Sequence, residues 1–184
     1  FAGMLLVVAL LYGQDALGMR LGFVPAALAL CAVAALAFVL ARRAPGAPQP
    51  RPPIEPEPAV LRWIAAFALA MLALRMGTLA VEVLLRPLFA WDAWSQWATK
   101  AKVWAGLRDI VPFIGFDDWL TRKPGYTDTA PHYPPAIPLL QTWMALALGR
   151  WDDALVNLPW FAAFVALGLG LFGQLRRLGA GTSW

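Results

Sequence analysis

The residues best suited to chemistry stand in one run, residues 91–102 (WDAWSQWATKAK), directly after a long apolar segment. This position predicts a membrane–water boundary, where Asp92 could take a proton from an acceptor hydroxyl as a general base. A structural interpretation stands beside it, because a carboxylate near a helix N-terminus also caps backbone N–H groups and complements the helix dipole. The location favours chemistry on a lipid-linked substrate, and both roles of Asp92 are open.

The same run predicts a helix with two unlike faces. Lys100 and Lys102 can bind phosphate as point charges, and lysines at this depth also meet anionic lipid headgroups. At about 100° per residue, one face holds Trp91, Trp94, Trp97, Ala101 and Trp104. The other face holds Asp92, Ser95, Gln96, Thr99 and Lys102. This pattern predicts an amphipathic helix lying in the membrane interface, with its indoles in the headgroup layer.

A second polar cluster, residues 130–143 (APHYPPAIPLLQTW), opens the next apolar segment. Its prolines favour a sharp entry into a first helical turn, where no backbone N–H is lost. His132 is the only histidine, which excludes a multi-histidine metal site; beside Tyr133 it is either a hydrogen-bonded loop residue or part of a cavity. A divalent metal would need Asp92 and the acids of the loop as ligands, and their spacing supports no such site, so no cofactor is predicted.

The composition is that of an integral membrane protein. Of 184 residues, 60% are hydrophobic and 14% charged, whereas a soluble domain is about half apolar and a quarter charged. The net charge of +4 comes from scattered basic residues, without a patch that alternates with aromatic side chains, so nucleic acid is not a predicted partner. Cys31 is the single cysteine, which excludes a disulfide within the chain.

The apolar blocks predict an all-α fold, a polytopic transmembrane helical bundle with an interfacial amphipathic helix in a large periplasmic loop. Residues 1–40 carry the first transmembrane helices, of which we predict the first to be truncated. Residues 41–60 form a proline-rich linker, with seven prolines in residues 41–58, and its arginines assign it to the cytoplasm. Residues 61–184 hold the remaining spans, with the periplasmic loop at 86–133.

The span predicted over residues 61–85 carries two charges. Arg75 lies near its middle and Glu82 near its exit. Because a charge inside the bilayer faces protein or water, each either snorkels, pairs with another helix or helps to hold an anionic substrate.

The side on which the chain leaves the last span depends on a short segment. Residues 134–148 are apolar but few. If they cross the membrane completely, Arg176 and Arg177 end outside, and if they are re-entrant, both end inside. Residues 151–153 (WDD) are predicted to form a turn and the N-cap of the last span at the opposite membrane face.

An acid just beyond a transmembrane helix, an interfacial helix and a Pro-Pro entry to the next span resemble the GT-C glycosyltransferases. These polytopic enzymes transfer sugars from polyprenyl-phosphate donors on the periplasmic or luminal side. Protein O-mannosyltransferases and the aminoarabinose transferases of lipid A belong to this group. The resemblance rests on residues 91–102 and 132–135. It covers roughly residues 61–179, the amino-terminal part of a fold that normally continues for several more spans.

The resemblance implies a bacterial inner-membrane enzyme with its active face in the periplasm, among membrane lipids, and a polyprenyl-phosphate-linked sugar as donor. Asp92 matches the proposed general base, and residues 132–135 match the loop that shapes the same cavity. Two departures are visible: Ala93 stands where many members have a second acid, and Gln96 or Trp97 replaces a usual tyrosine. The residues predicted to contact substrate are Arg86, Trp94, Gln96, Lys100, Lys102, His132 and Tyr133.

Two other functional classes compete with the enzyme. A non-catalytic membrane subunit would use the tryptophan-rich helix as an anchor and Asp92 as its cap, with no cavity beside it. A transporter would line a water-filled path with Arg75 and Glu82. Catalysis predicts instead that Asp92 and His132 surround one cavity at the interface.

Overall fold

The computed structural model describes residues 2–43 and 58–177. Its long helices are α1 (Ala2–Ala16), α2 (Phe23–Arg43), α3 (Ala59–Leu85), α4 (Thr99–Leu107), α6 (Ala136–Leu148) and α7 (Leu158–Arg177). A π-helical segment (Ala93–Ala98) precedes α4, the short α5 (Phe116–Leu120) follows it, and a 3₁₀ turn (Leu155–Asn157) leads into α7. The predicted all-α class is confirmed, with one small exception: β1 (Phe113–Ile114) and β2 (Tyr126–Thr127) pair in parallel.

Three helices are long and apolar enough to cross a membrane. They are α2 with 21 residues, α3 with 27, and the stretch Leu155–Arg177 with 23. At ~1.5 Å per residue each reaches about 30 Å, the thickness of the hydrocarbon layer. Their surfaces are almost entirely exposed, and α3 buries no residue at all. Such an apolar exterior suits lipid as the solvent and supports the predicted membrane association.

The predicted boundaries of the linker can be compared with the structure only at its two ends. The linker prediction for 41–60 falls largely on residues 44–57, which lie outside the described residues. Arg42 and Arg43 belong to the last turn of α2, and α3 begins directly after Pro58. In the first unit, α1 is apolar but has only 15 residues.

One compact unit anchors an end of each long apolar helix; we call residues 86–157 the cap. Entering α2, Leu21 N–H donates to the Arg108 carbonyl at 2.8 Å. Leaving α3, Leu88 N–H donates to the Asp153 carbonyl at 3.2 Å. The last helix starts from the fully buried Val156 of the cap itself. The far ends of all three helices therefore extend away from the cap.

The short apolar segment at residues 134–148, which the sequence predicts as either a full crossing or a re-entrant segment, contains α6, the core helix of the cap. Six residues of α6 are buried, and Leu139 and Leu140 join Leu11 and Trp104 in the hydrophobic core. The segment just before α6 contacts Trp97, and the segment after it contacts Lys102. Both ends of α6 therefore meet the same helix, and α6 packs inside the protein as a core helix.

The turn before the last span is confirmed as its N-cap, and it lies beside α4. The Asp152 carboxylate accepts hydrogen bonds from the N–H groups of Ala154 and Leu155, at 3.1 and 3.0 Å. The neighbouring Asp153 lies 3.2 Å from Lys102 on α4. The turn therefore contacts the tryptophan-rich helix, and the membrane face predicted for it stays a prediction.

Candidate functional site

The helix that carries the candidate residues has a π-helical segment in its first half. Residues 91–107 are continuously helical, with wider turns over Ala93–Ala98. At the end of this segment the Thr99 hydroxyl donates to the backbone carbonyl of Trp94 at 3.0 Å. Such segments are rare inside α-helices and are frequent at functional sites.

The π-helical segment changes which indoles share a face, so the predicted single row of tryptophans is wrong. Trp91 and Trp94 are 63% and 45% exposed and contact one another edge to face. Trp97 packs against Tyr133 with ring centroids 5.8 Å apart. Trp104 is only 4% exposed, and its indole N–H donates to the Val111 carbonyl at 2.9 Å. The first two indoles can therefore meet lipid, while the last two pack within the cap.

Asp92 does not act as a helix cap in this structure. Its backbone is already helical, and its side chain makes no capping hydrogen bond. The residue is exposed, and the carboxylate has no ion-pair partner among residues 2–43 and 58–177. The part of the non-catalytic interpretation that required a capping Asp92 therefore finds no support, and the carboxylate is free to contact a ligand.

Arg86 stands at the corner between α3 and this helix. Its guanidinium forms an exposed ion pair with Glu82, four residues earlier, and lies 4.7 Å above the ring of Phe89. Glu82 is thus paired near the end of α3, whereas Arg75 is exposed on the same helix. The transport interpretation of these two charges stays a prediction.

Lys100 is buried in a position that sequence alone did not indicate. Its ammonium lies 3.1 Å from the Asp128 carboxylate, and the two side chains are 3% and 0% exposed. The same ammonium donates to the carbonyls of Ala130 and Pro131, at 2.7 and 3.3 Å. These oxygens surround the charge predicted to bind phosphate, and they fix the loop of residues 128–131 against α4.

The loop of residues 128–131 leads directly into His132 and Tyr133, two residues predicted to contact substrate. His132 and Tyr133 are both exposed and contact each other edge to face, with ring centroids 5.6 Å apart. Tyr133 also packs on Trp97, as described above. Next to Trp97 in the chain, the side-chain oxygen of Gln96 is buried without a hydrogen-bond donor among the described residues. A buried acceptor normally has a partner, but this oxygen is closed to a ligand in this structure because it is buried.

Lys102 belongs to a different group of residues. Its ammonium pairs with Asp153 and lies 5.2 Å from the ring centre of Trp151. The Trp151 indole N–H donates to the same Asp153 oxygen at 2.7 Å. These hydrogen bonds and the Lys102 charge hold the pKa of Asp153 below its ordinary value, with the indole N–H as the largest cause.

The structure thus divides the predicted site into three parts. Arg86, Asp92 and Trp94 lie at the exposed start of the helix. Tyr133 packs on Trp97 and His132 packs on Tyr133, in the loop that follows the residues held by Lys100, and Gln96 is the chain neighbour of Trp97. Lys102 lies beyond them with Trp151 and Asp153, two contacts that sequence analysis missed because a separation of about fifty residues leaves no local signal. Within the described residues, no group of three or more acids, histidines or cysteines is placed to hold a metal ion.

Comparison with protein-family models, with curated proteins and with solved structures finds no significant match to this chain.

Proposed function

We propose that the protein is a membrane glycosyltransferase of the GT-C type, which transfers a sugar from a polyprenyl-phosphate donor and uses Asp92 as general base. The observation that carries the proposal is the state of Asp92: an exposed carboxylate without a cap bond or an ion pair among the described residues, immediately before the π-helical segment and seven residues after the end of a membrane-length helix. A carboxylate with no partner of its own, on a defined helix, is suited to take a proton from an acceptor hydroxyl.

The surroundings of Asp92 fit a substrate that arrives from the membrane. Trp91 and Trp94, which flank it in the chain, expose their indoles and contact one another, and tryptophan is enriched at the depth of lipid headgroups. A donor with its polyprenyl tail in the bilayer would present its sugar just above this level. The sugar-phosphate bond brings its own leaving group, so the protein mainly has to position the reactants and remove a proton.

The second wall of the proposed site is the loop held by Lys100. It presents the exposed His132 and Tyr133, with Tyr133 beside Trp97, and aromatic faces suit the C–H faces of a sugar. Arg86 is placed to offset the charge of the leaving phosphate. In this scheme Lys100 does not touch the substrate but fixes the loop, since protein oxygens already surround its ammonium.

The charge distribution supports an orientation with the cap outside the cytoplasm. The helix ends remote from the cap carry Arg42, Arg43, Arg62, Arg176 and Arg177. Positively charged residues favour the cytoplasmic side, so we place the cap, and Asp92 with it, on the periplasmic side of a bacterial inner membrane. The proposed partners are the polyprenyl-linked donor and the lipids around it.

The test is a comparison of Asp92→Asn with Asp117→Asn in native membranes. The readout is release of polyprenyl phosphate from a panel of radiolabelled polyprenyl-phosphate sugars. Loss of a general base lowers a rate by about 100-fold to 10,000-fold, so Asp92→Asn should abolish measurable release. Asp117 is an exposed acid of the same loop, and its substitution should leave release unchanged. Equal release from wild type and Asp92→Asn would remove the central element of the proposal and favour a non-catalytic subunit.

A further inference from the structure

A groove lies where the C-terminal turns of α4 and α6 meet. It encloses about 320 Å³ and is lined by three cationic side chains and one indole, Lys102, Arg108, Arg150 and Trp151, with Gly106 and Gly149 leaving it open. Asp92 does not line it. Lys102 follows Asp92 by ten residues, about 15 Å along a helix. We propose that this groove binds the phosphate of an anionic phospholipid headgroup, at a site separate from Asp92.

The groove has one cationic side chain that is not paired with a carboxylate, which suits a ligand with a single negative charge. Arg150 pairs with Asp152 at 2.8 Å and Lys102 pairs with Asp153 at 3.2 Å. Both carboxylates are further occupied, Asp152 by backbone N–H groups and Asp153 by the Trp151 indole. Arg108 has no carboxylate partner among the described residues. One positive charge therefore remains uncompensated at the groove, which matches the single charge of a phosphodiester.

The position of the groove favours a lipid over a dissolved anion. The Asp153 that holds Lys102 also accepts, at its carbonyl, the N–H of Leu88 just beyond the end of α3. The membrane-length stretch that contains α7 begins two residues after Asp153, at Leu155. The groove thus opens at the level where two membrane-length helices end, the depth that lipid headgroups occupy. A tryptophan and a lysine at this depth are common contacts of anionic headgroups.

Gly106 and Gly149 have no side chain to fill the groove, so a larger residue at one of these positions could block it. A Cβ atom added at Gly106 would meet no atom within 4 Å. A leucine at this position should therefore occupy the groove without disturbing the helix packing. Arg108 itself has a left-handed backbone, with φ of 57°, a conformation that asparagine tolerates better than most residues. Arg108→Asn thus removes the charge and keeps the backbone.

The experiment is native mass spectrometry of the detergent-solubilised protein, titrated with phosphatidylglycerol or phosphatidylcholine. Wild type should retain phosphatidylglycerol in preference to phosphatidylcholine. Arg108→Asn should weaken phosphatidylglycerol binding by about fivefold, the effect of one basic residue near an anionic membrane surface, and Gly106→Leu should weaken it as well. Arg122→Asn is the matched control, because Arg122 is also exposed and left-handed, with φ of 60°, but does not line the groove.

Inorganic phosphate, added as a competitor, identifies what the groove recognises. Displacement of the lipid by millimolar phosphate would assign recognition to the phosphate group alone, and resistance to displacement would assign it to the whole headgroup at the membrane surface. The proposal is overturned if wild type, Arg108→Asn and Gly106→Leu retain phosphatidylglycerol equally, or if Arg122→Asn lowers binding as much as Arg108→Asn. Because no sugar transfer is measured, this result is independent of the role proposed for Asp92.

Discussion

Replacing Lys100 by methionine should destabilise the cap by about 3–5 kcal/mol, the usual cost of removing one partner of a buried ion pair. In this structure the pair is almost completely removed from water, with side-chain exposures of 3% for Lys100 and 0% for Asp128. Without the ammonium, the carboxylate would stay buried with hydrogen bonds to one of its two oxygens only, from Ala130 N–H and the Thr129 hydroxyl. The carbonyls of Ala130 and Pro131 would lose their lysine donor as well.

A matched control lies within the same loop. Lys123 and Asp118 form an ion pair with side-chain exposures of 61% and 47%. Water screens this pair, and exposed pairs contribute about 0–1 kcal/mol. Lys123→Met should therefore change stability little, although it removes the same chemical group and leaves the same kind of carboxylate behind.

The assay is thermal unfolding in detergent, followed by the fluorescence of the cap tryptophans. For a chain of this size about 1 kcal/mol lowers the midpoint by ~2–4 °C, so Lys100→Met should lower it by roughly 6–20 °C, and Lys123→Met by less than about 4 °C. Adding Asp128→Leu to Lys100→Met should restore much of the loss, because an apolar pair can replace a buried ion pair at little cost. Equal midpoints for Lys100→Met and Lys123→Met would refute the reasoning that desolvation makes the Lys100 pair important.

Two further predictions follow from contacts and charge distribution. The lowered pKa of Asp153 contributes stability that is present above its ordinary value of 3.8 and is lost as the pH falls through its value in the folded protein. Trp151→Phe should thus be less stable than wild type at neutral pH, and the difference in unfolding midpoint should narrow on acidification below about pH 4. For orientation, in a Cys31→Ser background a membrane-impermeant maleimide should label Arg122→Cys in spheroplasts and should label Arg177→Cys only after lysis; the reverse pattern would contradict the periplasmic placement of the cap.

The membrane helices could be predicted from the sequence because their signal is local. The span predicted over residues 61–85 corresponds to helix Ala59–Leu85, and the helix Phe23–Arg43 and the stretch Leu155–Arg177 fall largely within the units predicted to carry the other spans. A run of about 20 apolar residues with few charges is stable as a helix in lipid whatever its neighbours do. The boundaries of the predicted span at 61–85 therefore differ from the structure by only two residues.

The candidate site was predicted less completely, because it depends on contacts between distant segments. A wheel at constant pitch cannot show the π-helical segment at Ala93–Ala98, and after it the phase of the helix changes. Lys100 looked like a surface lysine, since nothing near it in the chain reveals that Asp128 and two carbonyls will surround it. Residues 134–148 were short for a span, and only the packing of α6 on α4 and α1 shows that they form a core helix instead.

The burial of Lys100, which the sequence did not indicate, changes where the proposed mechanism can place the phosphate of the donor. A phosphate-binding Lys100 would have placed the leaving group near the middle of the helix, beyond Trp97. With the Lys100 ammonium surrounded by protein oxygens, the cation nearest to Asp92 along the chain is Arg86, whose ion pair with Glu82 is exposed. A donor phosphate can compete with an exposed carboxylate far more easily than with a desolvated one. In the proposed transferase we therefore expect the donor at the corner between α3 and the π-helical segment, with its phosphate towards Arg86 and its sugar towards Asp92.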